Sequence, residues 1–326
     1  MGSVHDLLAM KGKAGALDLL ARGRALGLDG GITRDVVEAA SLYLSDDENS
    51  LGFAYSGWAQ CALPHRRIGP EDRWEISSER VRLVVEPGLR PPPSGDGPME
   101  RVGVPFGSVA RLILLFLQTQ AIRTDSREVE LGGSLRGWLT NIGASVGGSN
   151  ARAVRDQAER ISRCRLTFHI KGTGTVGLIN QTIVDRALFV EEGAARDGGG
   201  RQGRLTLETA KLSEGFFEQL KKHPIPLEEA AVRAISNNAA ALDAYLWLVY
   251  RLHVLRDDRL VTWKALKAQF GTGYRELYHF KPRFSQALGL AMAVYPGARV
   301  EVRDEGVVLK PSPSPVRPKL VALGRR

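Results

Sequence analysis

Twice in this chain a long apolar helical run is followed by a short strand, two further helical stretches and a pair of strands. The first run, Pro105 to Ile122, has its proline in the first turn, where a missing N–H costs nothing. A strand, Glu128 to Leu131, and a helix, Ser134 to Ile142, follow. Ser134 can cap that helix, Gly143 ends it, and Leu135, Trp138, Leu139 and Ile142 share one side. After Gly147-Gly148 a third helix starts at Ser149, with Ala151, Val154, Ala158 and Ile161 along one stripe and Arg152, Arg155, Arg160 and Arg163 on the opposite side. Asp156 and Glu159 lie among those arginines, so part of the charge is taken up by pairs within the helix.

The second run, Asn238 to Leu255, buries Ala241, Leu242, Tyr245, Leu248, Val249 and Leu252. Thr262 caps a short helix, Trp263 to Phe270. Because proline is tolerated only in a first turn, the next helix is expected from about Pro282, with Phe284, Ala287, Leu288 and Ala291 inward and Lys281, Arg283, Ser285 and Gln286 outward. "ARVEVRDEGVVLKP" alternates on both sides of Asp304-Glu305-Gly306 and reads as a hairpin.

In the first copy the pair of strands falls in "CRLTFHIKGTGTVGLINQTIV", residues 164–184, where Gly172, Gly174 and Gly177 fit the GxGxxG spacing of a dinucleotide loop. That chemistry needs a helix opening at the third glycine to hold the pyrophosphate. Leu178 to Val184 is instead β-branched and apolar, so the stretch reads as a glycine-rich hairpin.

This order is that of a winged helix, in which the third helix enters the major groove and the hairpin wing lies along the backbone. The fold expected is α+β: two tandem winged-helix domains with an N-terminal helical and strand extension. Residues 1–50 form the extension, with helices over Leu17 to Leu26 and Arg34 to Leu44; 51–225 the first domain, with extra strands over 51–63 and 81–86; 226–312 the second; and 313–326 a basic tail. A helix in "LSEGFFEQLKKHPIPL" ends before Pro224 and Pro226, which read as a hinge between the domains. The polar stretch 191–203, "EEGAARDGGGRQG", is a long loop and a second candidate for a wing tip.

Charge points to nucleic acid. The net charge is +9, and residues 101–175 hold eleven Arg or Lys against five Asp or Glu. A charged face is usually only a solvated one, but here it falls on the predicted third helix. The candidate DNA-binding residues are Ser149, Asn150, Arg152, Arg155, Arg160, Arg163, Lys171, Gly172 and Gly174 in the first domain, and Lys281, Arg283, Ser285 and Gln286 in the second. Arginine suits this role because its fork binds phosphate or guanine bidentately.

Enzyme motifs do not assemble. His253 and Arg256 fit the HxxR box of tyrosine recombinases, with Tyr274, Tyr278 and Tyr295 downstream, but they end a helix of packed apolar residues. Neither a His-hydrophobic-His pair nor a phosphate-binding Gly-Lys-Ser/Thr occurs. Cys61 and Cys164 are too few for a disulfide framework, and Cys61 with His65 supplies two metal ligands where a site needs more, so neither metal nor cofactor is expected. There is no apolar run of spanning length and no signal-peptide core at the N-terminus, so a cytoplasmic protein without membrane contact is expected.

The stretch "VGVPFGSVARLILLFLQTQAIRTDSREVELGGSLRGWLTNIGASVGGSNARAVRDQAERI" resembles the plasmid-encoded RepA replication initiators of bacteria. So do "LPHRR" at 63–67, "VVEPG" at 84–88, "LSEGFFEQL" at 212–220, "ALDAYLWLVYRLH" at 241–253 and "YPGARVEVRDEGVVLKPS" at 295–312. The resemblance implies an origin-binding protein that recognises repeated sites (iterons) on double-stranded plasmid DNA, opens nearby AT-rich DNA and recruits the host replicative helicase and initiator proteins. It implies no catalytic residue, and monomer and homodimer both stay open. The competing class is a winged-helix transcriptional regulator, which the same two domains would serve equally well.

Overall fold

The computed structural model describes residues 4–21, 32–48, 50–78, 81–92, 96–141, 149–171, 176–192 and 204–316. Gly147, Gly148, Gly172, Gly174 and residues 193–203 and 317–326 therefore lie outside the description, as does the 22–26 part of the expected first helix.

Helix α1 (Val4–Ala21) starts well before Leu17, and α2 (Arg34–Leu44) has the expected bounds, with the Thr33 hydroxyl accepting the Val36 N–H as its cap. Strand β1 (Leu51–Tyr55) gives way to a single helical turn, α3 (Gly57–Gln60), where a strand continuing to 63 was expected. The chain turns so tightly that a Cβ at Gly57 would fall 2.3 Å from the Tyr55 ring. Strands β2 (Trp74–Ser77) and β3 (Val81–Glu86) follow, then a small ladder of β4 (Leu89–Arg90) with β5 (Glu100–Arg101).

The first repeat comprises α4 (Gly107–Thr124), β6 (Glu128–Glu130), α5 (Gly132–Asn141) and α6 (Ser149–Arg163). Pro105 stands just before α4 and not in its first turn, and α5 starts ahead of Ser134, so that residue is not its cap. Strands β7 (Arg165–Lys171), β8 (Val176–Thr182), β9 (Val184–Glu192) and β10 (Arg204–Leu212) follow. Gly177 lies inside β8, so no helix opens there to hold a pyrophosphate.

Helix α7 (Glu214–Lys222), strand β11 (Pro224–Glu228) and helix α8 (Glu229–Ala234) lead to the second repeat. It comprises α9 (Ala239–Leu252), β12 (Arg259–Thr262), α10 (Trp263–Phe270), α11 (Leu277–Ala293), β13 (Val300–Val302) and β14 (Gly306–Leu309). Thr262 caps α10 as expected, accepting the Ala265 N–H. Helix α11 begins five residues before Pro282, which sits inside it. Both Pro282 and Tyr278, four residues earlier, are exposed, so the break in the hydrogen-bond ladder falls on the solvent side.

Sheet order separates the two hairpins of the first repeat. In the second repeat the order is β12-β14-β13, so the strand between the first two helices pairs with the last strand. In the first repeat the matching order is β6-β10-β9. Hairpin β7–β8, expected to close the first repeat, instead completes a four-stranded sheet, β2-β3-β7-β8. Leu166 and Phe168 of β7 are buried alongside Leu83 and Val85 of β3, and a central strand buried this way needs a partner on each side.

Pro224 and Pro226 form no hinge. They lie in β11, opposite Tyr55 and Phe53 of β1. The N–H groups of those two β1 residues turn away from β11, Phe53 to the Thr119 hydroxyl (2.9 Å) and Tyr55 to the Gln118 side-chain oxygen (2.7 Å). The proline positions are therefore ones where the ladder asks for no donor. Gln118 and Thr119 of α4, buried amid apolar neighbours, are there to satisfy that strand edge.

Candidate nucleic-acid interface

Helix α6 divides into two halves with different partners. Ala158 and Ile161 pack inward as expected, and the Gln157 side chain accepts the Phe106 N–H at 2.8 Å, tying the helix to the start of α4. Arg160, expected to face outward, is 3% exposed. Its Nε donates to Asp156 at 2.9 Å, its Nη1 to the Val104 carbonyl at 3.2 Å, and its guanidinium lies over the Phe106 ring at 5.2 Å. Gly103, at φ +78°, makes room for it: a Cβ there would fall 2.3 Å from Nη1. Arg160 is thus a core brace rather than a free cation. Arg163 is paired with Glu159 (3.2 Å) and donates to the Leu89 carbonyl (2.9 Å).

The N-terminal half keeps its charge. Arg152 is exposed, Arg155 is half-buried, and neither faces an acidic partner among the described residues. Ser149 and Asn150 form the first turn, and Lys171 ends β7.

In α11 the outward face of the first turns carries Tyr278, His279, Pro282, Arg283 and Gln286. Tyr278 is 69% exposed and its ring lies 3.8 Å from that of His279. Arg275, just before the helix, is almost fully exposed. The outward placement of Arg283 and Gln286 agrees with the sequence reading, which left out Arg275, Tyr278 and His279 because Pro282 was read as the helix start. The aromatic spacing Tyr274, Tyr278 in the sequence was the available signal. Lys281 turns aside: its Nζ donates to the Asp304 carbonyl (3.1 Å) and lies 5.6 Å from the centre of the Trp263 ring. Ser285 is half-buried. At hairpin β13–β14 Arg303 and Lys310 share Glu301 and hold its carboxyl down at about 2.

The two repeats are joined through their first helices. All five N–H donors of Arg111 in α4 are used: two on Asp243 of α9, and the others on the carbonyls of Leu63, Pro64 and Gly107. His65 Nε2 makes the third contact to Asp243, at 2.8 Å. Burial alone would raise the Asp243 pKa, but the Arg111 charge and the hydrogen bonds from His65 and Arg111 outweigh it and hold the carboxyl below its usual range. The N-terminal helices, whose role the sequence left open, pack on the second repeat and the strand before it: His5 Nε2 is 2.8 Å from the Ala293 carbonyl at the end of α11, and Tyr43 donates to Glu228 of β11 at 2.7 Å.

The recombinase constellation is not assembled. His253 Nδ1 is 2.7 Å from the Val249 carbonyl, and Tyr295 is buried, donates to the Pro313 carbonyl and has its hydroxyl pushed up to about 12 by burial. Burial likewise pushes the Cys61 thiol up to about 11 and Cys164 to about 12, so neither is a ready thiolate. Among the described residues no group of three or more His, Cys, Asp or Glu side chains could hold a metal ion, and no helix is long and apolar enough to cross a membrane.

Residues 104–265 match a family described as plasmid encoded RepA protein. No curated protein is similar to the chain. Among solved structures it is similar to a selenomethionine derivative of domains 2 and 3 of RctB, with 13% identity, 80% of this chain and 99% of that one covered, and a TM-score of 0.47. A second structure of the same two domains is 14% identical, with 78% and 94% covered and a TM-score of 0.42.

Proposed function

We propose that this protein is a plasmid replication initiator that binds repeated origin sites with two winged-helix domains, opens adjacent AT-rich DNA and recruits host replication proteins. The observation that carries the reading is the shared sheet order of the two repeats, β6-β10-β9 and β12-β14-β13, within and beyond the segment that matches the RepA family. In this reading α6 and α11 are the helices that enter successive major grooves, with Arg152 and Arg155 on one and Arg275, Tyr278, Arg283 and Gln286 on the other. The first-domain wing is then hairpin β9–β10, and not hairpin β7–β8. Melting comes from binding energy and DNA bending, helped by partners, since no motor motif is present.

Footprinting the full chain on DNA flanking its gene tests this. Protection should fall on direct repeats about two helical turns apart, and a plasmid carrying those repeats should be maintained only when the protein is supplied. Protection confined to the gene's own promoter, with no effect on plasmid maintenance, would favour a transcriptional regulator. Charge-adding changes at Gly198 and Gly199 should flatten the salt dependence of binding more than the same changes at Gly172 and Gly174.

A further inference from the structure

The loop between α3 and β2 has a place in the fold that its sequence did not disclose. Arg66, Arg67 and Arg73 are exposed, and none meets an acid among the described residues. The loop's own acids are engaged elsewhere: Glu71 pairs with Arg101 at 2.9 Å, and Asp72 accepts the Gly69 N–H at 3.0 Å. Three cations are left without an internal counter-charge on a segment of ten residues.

The backbone beneath them is held on every side. Arg111 grips the carbonyls of Leu63 and Pro64, the Gly107 N–H donates to Pro64, and the Trp74 indole closes the loop by donating to Ala62 at 2.8 Å. Ile68 packs against the core, so Arg66 and Arg67 precede an anchor. Pro70 lies against Gly103, 3.5 Å from where a Cβ would stand, and Gly103 lies against Arg160 of α6. His65 reaches Asp243 of α9, and the Gln269 side chain of α10 donates to the Ala59 carbonyl at the loop's entry. One braced loop therefore touches the first helix of the second repeat through His65, backs onto Gly103, which in turn meets Arg160 in the third helix of the first repeat, and has the second helix of the second repeat at its entry.

We propose that residues 64–73 form a phosphate clamp on double-stranded DNA, in which Arg66, Arg67 and Arg73 hold the backbone between the two grooves entered by α6 and α11. The inference rests on the DNA-binding reading above. Guanidinium groups fixed on a braced loop suit phosphate, because little order is lost when they bind. Such contacts position the duplex and carry no base information. The clamp thus sets the register between the two domains on the DNA.

The test is a salt titration of full-length protein with a random-sequence duplex and a duplex carrying an origin repeat. R66Q/R67Q should weaken binding to both by the same factor and reduce the slope of log K against log salt by about two, roughly one ion per lost contact. R66K/R67K should keep most of the slope, and melting temperatures should not change, because these side chains are exposed. Arg152→Ala serves as the reference for the underlying reading. If it weakens specific binding while R66Q/R67Q leaves affinity and slope as in wild type, the clamp is wrong and the DNA-binding reading stands. If wild type binds neither duplex, both fall. A loss caused equally by the lysine and glutamine pairs, with a lowered melting temperature, would mark the loop as structural and also overturn the clamp.

Discussion

Arg111 Nη2 and Asp243 Oδ2 lie 2.6 Å apart, and through this pair the first helix of one repeat is bonded to the first helix of the other. Both side chains are under 10% exposed, so removing either leaves a buried charge without its partner. Arg111→Met or Asp243→Ala should cost about 3–5 kcal/mol in urea unfolding. The double variant should recover part of that loss, and a double variant no more stable than the worse single one would argue against direct coupling.

The same pair sets an acid limit. The folded-state pKa of Asp243 is depressed, so its contribution is full above the unfolded value, about 3.9, and is lost as pH falls through the lower folded value. Unfolding free energy measured from pH 5 downward should therefore fall less steeply in Asp243→Asn than in wild type, from a lower starting point. Parallel curves for the two proteins would contradict this.

Two arginines on α6 should behave in opposite ways. Arg152→Ala should leave stability unchanged and, if it contacts a guanine edge, cost about 1–3 kcal/mol of binding at one base position. Arg160→Ala should cost about 1.5–3 kcal/mol of folding stability through its lost charge-assisted bonds. Pairing thermal melts with specific and random DNA titrations separates the two; an Arg160→Ala protein that melts like wild type would refute the brace.

Gly103→Ala tests the same brace from the other side. The substitution must place a Cβ 2.3 Å from Arg160 Nη1 at a φ of +78°. A loss of roughly 1–3 kcal/mol is expected from the backbone conformation alone, and more if Arg160 is displaced. In Arg160→Ala the added methyl should cost less, because half of the conflict is gone; an equal cost in both backgrounds would place the strain in the backbone only.

Where one segment settled its own structure, the sequence could be read closely. Thr262 caps α10 at the expected residue because a cap is a local hydrogen bond, and α2 and α10 came out with the expected bounds. The failures were non-local. Pro224 and Pro226 resemble a hinge until β1 is seen opposite them, and hairpin β7–β8 resembles a closing pair until β3 takes its other edge. Arg160 resembles a solvent-facing cation because a helical wheel gives direction but not what stands there, and Gly103 lies 57 positions away. On α11 the outward placement of Arg283 and Gln286 was legible from the 3.6-residue period, whereas that of Tyr278 and His279 was hidden by a proline inside the helix.

The pairing of Leu51–Tyr55 with Pro224–Glu228 has a bearing on how the molecule is made. Leu51–Tyr55 finds its one strand partner among the described residues in a stretch synthesised after the whole first repeat, at a chain separation whose closure is entropically slow. Until then its Phe53 and Tyr55 N–H groups are held by the Thr119 and Gln118 side chains of α4. Nascent chains halted before residue 224 should accordingly be protease-sensitive around 51–60, and become resistant once β11 has cleared the exit tunnel.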